Sequence, residues 1–104
     1  MSMFMILIAV DLLSIGGAYG AQISITVQNA SSDSSNVRVF DLFANDKRDV
    51  NNGTPFPLAA GATTDPIGIN ANADGTGTIE WDCNPGGSVT NVVVQDRATV
   101  QACQ

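Results

Sequence analysis

The side chains that carry most enzyme and metal chemistry are scarce in this chain. Its 104 residues include no histidine and only two cysteines. Histidine is the usual general base near neutral pH, the commonest partner of serine and cysteine nucleophiles, and the commonest nitrogen ligand of zinc and copper. Its absence removes most hydrolase and metalloenzyme mechanisms, so we expect a protein without enzymatic activity and without a cofactor.

One short stretch has the residue spacing of a calcium loop. Oxygen-bearing side chains alternate at Asn70, Asn72 and Asp74, just before a glycine, as in the pattern D-x-[DN]-x-[DN]-G. The first ligand is Asn instead of Asp, and Trp81 stands where the bidentate glutamate belongs. An Asx-rich hairpin turn therefore explains the stretch better than a calcium site, and we expect no bound metal.

The two cysteines, Cys83 and Cys103, predict a disulfide. Their even number in a small chain rich in Gly and Asn is typical of extracellular proteins, and such a bond would stabilise the fold by roughly 3 kcal/mol. The alternative is a pair of reduced thiols in a cytosolic protein. A metal or redox role would need further ligands or a Cys-x-x-Cys spacing, and the sequence has neither.

The charge balance is acidic. There are 10 acidic and 4 basic residues, for a formal net charge of −6 at pH 7. Nucleic-acid binders need clustered Lys and Arg to displace the counterions of the phosphate backbone. We therefore expect no nucleic-acid partner.

Composition divides the chain into an apolar N-terminal segment, residues 1–21, and a β domain, residues 22–104. Residues 3–13 are apolar except for Asp11, and small flexible residues follow them. If the segment is a helix, apolar residues at helical spacing form one stripe that can be buried. The residues assigned to this assembly or membrane surface are Phe4, Ile6, Leu7, Val10 and Leu13.

The N-terminal segment has four interpretations. A secretory signal would be cleaved after Gly20, but no Lys or Arg precedes the apolar run and Asp11 interrupts it. Residues 3–21 approach the ~20 residues that span a bilayer, although their glycines weaken a helix. An assembly helix would instead pack among neighbouring subunits. An ordinary core strand is the fourth interpretation.

The rest of the chain has the period-two alternation of β-strands. Two runs alternate most clearly, and their inward-facing residues are Ile23, Ile25, Val27, Ile79, Trp81 and Cys83. A third run, from Val37 to Phe43, has mixed faces, and we expect Phe40 and Phe43 to help fill the core. Short strands separated by turns about every 8–12 residues predict a mainly β fold, a small antiparallel β-sandwich of Greek-key or jelly-roll type.

An apolar N-terminal segment followed by a β domain with a C-terminal disulfide loop resembles the general plan of type IV pilins. The processed helix of that family begins with Phe and has Glu at its fifth position, and this motif is missing from the sequence. The same plan suits small anchored coat or spike proteins of membrane-containing virions.

We therefore expect a non-enzymatic structural subunit of an extracellular assembly, a virion coat or a surface filament. Its partners would be copies of itself or other assembly proteins, with residues 3–21 used for packing or membrane anchoring. The alternative is a secreted or periplasmic β-sandwich binding module from which a signal peptide is cleaved. The first places the protein outside the cell, on a virion or on a cell surface, and the second in the medium or the periplasm.

Overall fold

The period-two alternation produces a mainly β structure with two sheets. The computed structural model describes residues 21–104. The predictions for the N-terminal segment, including its helical conformation and the stripe from Phe4 to Leu13, lie outside the described residues. Within residues 21–104, no helix has the length and apolar character that crossing a membrane requires.

Eight strands follow one another along the chain. They are β1 Gln22–Asn29, β2 Ser35–Asp41, β3 Arg48–Asp49, β4 Phe56–Leu58, β5 Ile67–Asn70, β6 Gly77–Asn84, β7 Gly87–Val94 and β8 Thr99–Ala102, with a 3-10 turn at Phe43–Asn45 between β2 and β3. One sheet has three strands in the order β5-β1-β8. The other has the order β3-β2-β6-β7, and β4 also pairs with β2.

The inward faces of both sheets meet in one hydrophobic core. The predicted inward-facing residues of β1 and β6 are all buried, and the side chains of Val27 and Ile79 are completely inaccessible to solvent. The core of residues 21–104 is completed by Val37, Val39, Leu58, Ile67, Ile69, Ala71, Val94, Val100, Ala102 and Cys103. Both sheets therefore depend on the same buried cluster for stability.

The expectation that Phe40 and Phe43 fill the core is wrong. Val39 on β2 points into the core. Because side chains alternate along a strand, the next residue, Phe40, lies on the outer face, where it is half-buried. Phe43 lies in the 3-10 turn and is also half-buried. Aliphatic side chains and Trp81 fill the core instead.

The structure differs from the predicted antiparallel sandwich at one strand pair, because β1 and β8 pair in parallel. Thr26 is opposite Thr99, and Val27 is opposite Val100. The chain reaches β8 from β7, which belongs to the other sheet, so no hairpin joins β8 to its partner β1 and sets their relative direction. All other strand pairs in the described residues are antiparallel.

Candidate functional site

The cysteines lie at disulfide distance and connect the two sheets. Cys83 is on β6 and Cys103 directly follows β8, with their Cα atoms 5.5 Å apart. Both residues are buried, so the bond is a structural link and not an exposed reactive group. A disulfide of this kind is compatible with an extracellular or periplasmic location.

The side chains of the candidate calcium loop are engaged with different protein groups. The Asn70 amide donates a hydrogen bond to Asp41 (3.0 Å), and the Asn72 amide donates to the Thr76 hydroxyl (3.3 Å). Asp74 accepts hydrogen bonds from the Thr76 hydroxyl (2.7 Å) and backbone N–H (3.0 Å). These Thr76 hydrogen bonds lower the pKa of the Asp74 carboxyl below its ordinary value.

The contacts of Asp74 are those of an Asx turn, and Gly75 follows with a φ of 86° that suits glycine. Within residues 21–104, no group of three or more His, Cys, Asp or Glu side chains could hold a metal ion. The stretch forms a turn as expected, but the turn is not a hairpin, because it connects β5 of one sheet to β6 of the other and these strands do not pair.

A buried carboxylate, which the sequence analysis did not select, links the two sheets. The side chain of Asp41 on β2 is only 1% exposed. Its Oδ2 accepts hydrogen bonds from the backbone N–H (2.9 Å) and side-chain amide (3.0 Å) of Asn70, and from the Arg48 guanidinium (3.0 Å). Its Oδ1 accepts from the backbone N–H of Phe43 (3.1 Å). Four donors meet the hydrogen-bonding capacity of a carboxylate, which indicates a structural role.

Asn29, at the end of β1, is a second buried polar residue. Its amide donates to the carbonyls of Asp33 (2.8 Å) and Leu58 (3.0 Å). Its carbonyl oxygen accepts from the backbone N–H (3.0 Å) and hydroxyl (2.7 Å) of Ser31. Asn29 begins an N-x-S sequence, but its amide is buried and fully used, so the folded chain does not present it for glycosylation.

Two strand edges on one side of the molecule are unpaired within residues 21–104. Among the described strands, β7 pairs only with β6, and β8 pairs only with β1. A groove of about 450 Å³ lies between β7 and β8. Its lining contains no charged side chain, and its apolar residues include Trp81, Val89, Val92, Val94, Ala98 and Val100.

The strand β7 is the longer wall of this groove and has the features of a pairing surface. Its sequence, Gly-Ser-Val-Thr-Asn-Val-Val-Val, covers eight residues without a charge or a proline. Val89 is 45% exposed and Val93 is 65% exposed. Natural proteins usually protect an edge strand by shortness, by charged residues or by proline. β7 has none of these three features. It is protected only by a β-bulge near Asn91, which has a φ of 56°.

The register of β7 separates its two faces. Val89 is opposite Trp81 on β6, and Trp81 points into the core, so Val89 lies on the inner face and lines the groove. Val93 is opposite Thr78 and lies on the outer face. Val93 nevertheless borders the groove, so both exposed valines of β7 contribute to its lining.

Comparisons with protein-family models, with curated proteins and with solved structures found no match for this chain. We call the two unpaired edges of β7 and β8, together with the groove between them, the open edge.

Proposed function

We propose that this protein is a non-enzymatic structural subunit of an extracellular assembly, a virion coat or a surface filament, in which subunits associate through the open edge. The observation that carries this proposal is the eight-residue, uncharged edge strand β7 beside an apolar groove. Such an edge offers unpaired backbone N–H and C=O groups to a strand of another chain.

The chemistry of the rest of the molecule supports a structural role. The buried Asp41 and Asn29 use their polar groups to hold the fold together. The disulfide joins the two sheets and stabilises the fold. Such a bond persists outside the cell, where no cytosolic reducing system acts on it. A small, cross-linked β domain, in a sandwich arrangement of its two sheets, would suit a durable subunit outside the cell.

Association through the open edge is tested with Val89→Arg in the full chain. Arg at this position places a charge inside the apolar groove, and burial of a valine contributes roughly 1.5–3 kcal/mol, so the association constant should fall by at least about tenfold. Sedimentation velocity over a range of protein concentrations measures it.

The matched control is Ala73→Arg, which adds the same charge in the exposed turn between β5 and β6 at a residue that does not line the groove. This variant should associate like the wild type. A wild-type chain that stays monomeric at every concentration, or equal association of Val89→Arg and wild type, would contradict the proposal.

A binding module is the second candidate, because the groove volume of about 450 Å³ falls in the range of small-molecule sites. In this case the N-terminal segment is a signal peptide, and the mature chain starts at Ala21. The groove would then hold an apolar ligand while the protein remains monomeric. Intact mass spectrometry of the secreted protein separates the two candidates.

A further inference from the structure

Three properties of the groove define what can occupy it. It lies beside an eight-residue strand, its lining is uncharged, and β7 has an unpaired edge within the described residues. An extended, uncharged peptide of about eight residues satisfies all three, because it can pair with β7 and place alternate side chains in the groove.

The chain itself contains such a peptide. Residues 3–10, Met-Phe-Met-Ile-Leu-Ile-Ala-Val, form an uninterrupted apolar run of the same length as β7, and Asp11 ends it. In an extended conformation, Phe4, Ile6, Ile8 and Val10 share one face. That face has the bulk and the β-branching that pack well against a valine-rich strand.

The described residues begin near the end of the groove at which β7 ends. Ile23, near the start of β1, lies so close to Gly77 that a Cβ there would be 3.1 Å from its Cδ1. Gly77 pairs with Val94, the last residue of β7. Residues 11–20 can span up to about 33 Å, so they can carry the apolar run from this end towards a neighbouring molecule.

We infer that residues 3–10 of one subunit bind as an added β-strand in the groove between β7 and β8 of a second subunit. This inference rests on the proposed function, since it names what covers the open edge in the assembly. Each subunit donates one strand and accepts one, which makes the contact head-to-tail and allows a filament or a closed ring. The apolar run is then covered by protein, not by lipid.

An added strand and a packed helix bury different residues of the N-terminal segment, because their side chains repeat at different periods. In the added strand, Ile8 is buried and Leu13 lies beyond the paired region. In the helical stripe, Leu13 is buried. Ile8→Asp should therefore weaken assembly by at least about tenfold, as expected for a charge in place of a buried apolar side chain, and Leu13→Asp should not. Ile15→Asp is the matched control for an Ile-to-Asp change outside the run.

The decisive experiment mixes two full-length variants. Val89→Arg blocks the groove but keeps the donor run, whereas Ile8→Asp keeps the groove but damages the run. Each variant alone should be monomeric in sedimentation velocity. Their mixture should form a complex of one chain of each kind and nothing larger, because it contains one functional donor and one functional groove.

A site-specific measurement accompanies the mixture. Amide hydrogen exchange in Gly87–Val94 should slow at least about tenfold in the mixed complex, since the edge amides of β7 gain partners. Ser88→Arg, opposite Asp82 on the outer face of β7 and not part of the groove lining, serves as the control for a charge on the same strand and should leave the mixed complex intact.

Each outcome has a defined meaning. A mixture that remains monomeric overturns the inference, as does a disruptive effect of Leu13→Asp equal to that of Ile8→Asp. Slow exchange of β7 in a monomeric wild type would place the run of the same chain in the groove and would also overturn it. If the wild type assembles and Val89→Arg prevents this, while Ile8→Asp assembles normally, the inference fails and the proposed function stands. A mature chain that begins at Ala21 overturns the inference directly.

Discussion

At the residue scale, buried polar side chains hold the two sheets and their loops in place. Asp41 on β2 binds Asn70 on β5 across the core, and its other contacts fix the residues that follow β2. A buried carboxylate is costly unless donors surround it, and Asp41 has four. Removal of its charge therefore affects stability more than loss of a surface ion pair.

We predict that Asp41→Asn lowers the free energy of unfolding by about 2–4 kcal/mol, because an amide NH₂ group must then face one of the four donors. Urea unfolding with the disulfide intact measures the change. Asp65→Asn is the control: Asp65 is exposed, and its replacement should change stability by less than about 0.5 kcal/mol. Similar midpoints for the two variants would show that the Asp41 network contributes little.

At the scale of the elements, a residue between β2 and β3 bridges β2 and β6. Lys47 Nζ lies 2.9 Å from Glu80 Oε2 on β6 and 4.7 Å from the ring centroid of Phe40 on β2. Phe40 and Glu80 are opposite each other in the sheet. The hydrogen bond from Lys47 holds the pKa of the Glu80 carboxyl below its ordinary value of 4.5, although partial burial acts in the opposite direction.

This pKa shift predicts a pH-dependent contribution to stability. Because the pKa of Glu80 is lower in the folded state, its stabilising effect is complete above the unfolded pKa and disappears as the pH falls through the folded pKa. Glu80→Gln should therefore be less stable than the wild type near neutral pH, and the difference should vanish in acid. Urea midpoints between about pH 3 and pH 7 measure this profile.

Lys47→Met provides the companion measurement, because it removes the cation and keeps an apolar contact for Phe40. Its stability relative to the wild type should show the same dependence on pH. A difference that stays constant across the whole range, in either variant, would mean that the ion pair is not its source.

At the scale of the whole molecule, the disulfide lies at one end of the open edge, next to the first residue of β7 and directly after β8. Cys83 and Cys103 join β6 of one sheet to the end of β8 in the other, across 20 positions of sequence. The link keeps β8 beside the core and so maintains one wall of the groove. The stability of the β domain and the shape of the open edge therefore depend on the same bond.

We predict that the double variant Cys83→Ala, Cys103→Ala loses about 3 kcal/mol of stability, because opening this loop restores entropy to the unfolded chain. Reduced wild type should have a urea midpoint close to that of the variant. The denatured, unreduced wild type should contain no titratable thiol. Two reactive thiols, or equal stability of variant and oxidised wild type, would contradict the prediction.

Local geometry accounts for what was predictable from the sequence. The inward faces of β1 and β6 follow from alternation, since any strand with one buried face must place its apolar residues two apart. The pairing of Cys83 with Cys103 required only their number and the likeness of the composition to that of extracellular proteins. The mainly β character and the turn at Asp74 depend on the same short-range rules.

The remaining features depend on which strands become neighbours. The segment Gly87–Val94 would have the same pattern in a central strand as in an edge strand, and only the order of the described strands leaves β7 with an unpaired side. The burial of Asn29 and Asp41, and the outward position of Phe40, likewise depend on what the other elements place beside them. Alternation is a property of a few consecutive residues, whereas an open edge is created by contacts between residues far apart in the chain. For this reason the sequence determines the β class and the disulfide, and the tertiary structure alone decides where the open edge lies.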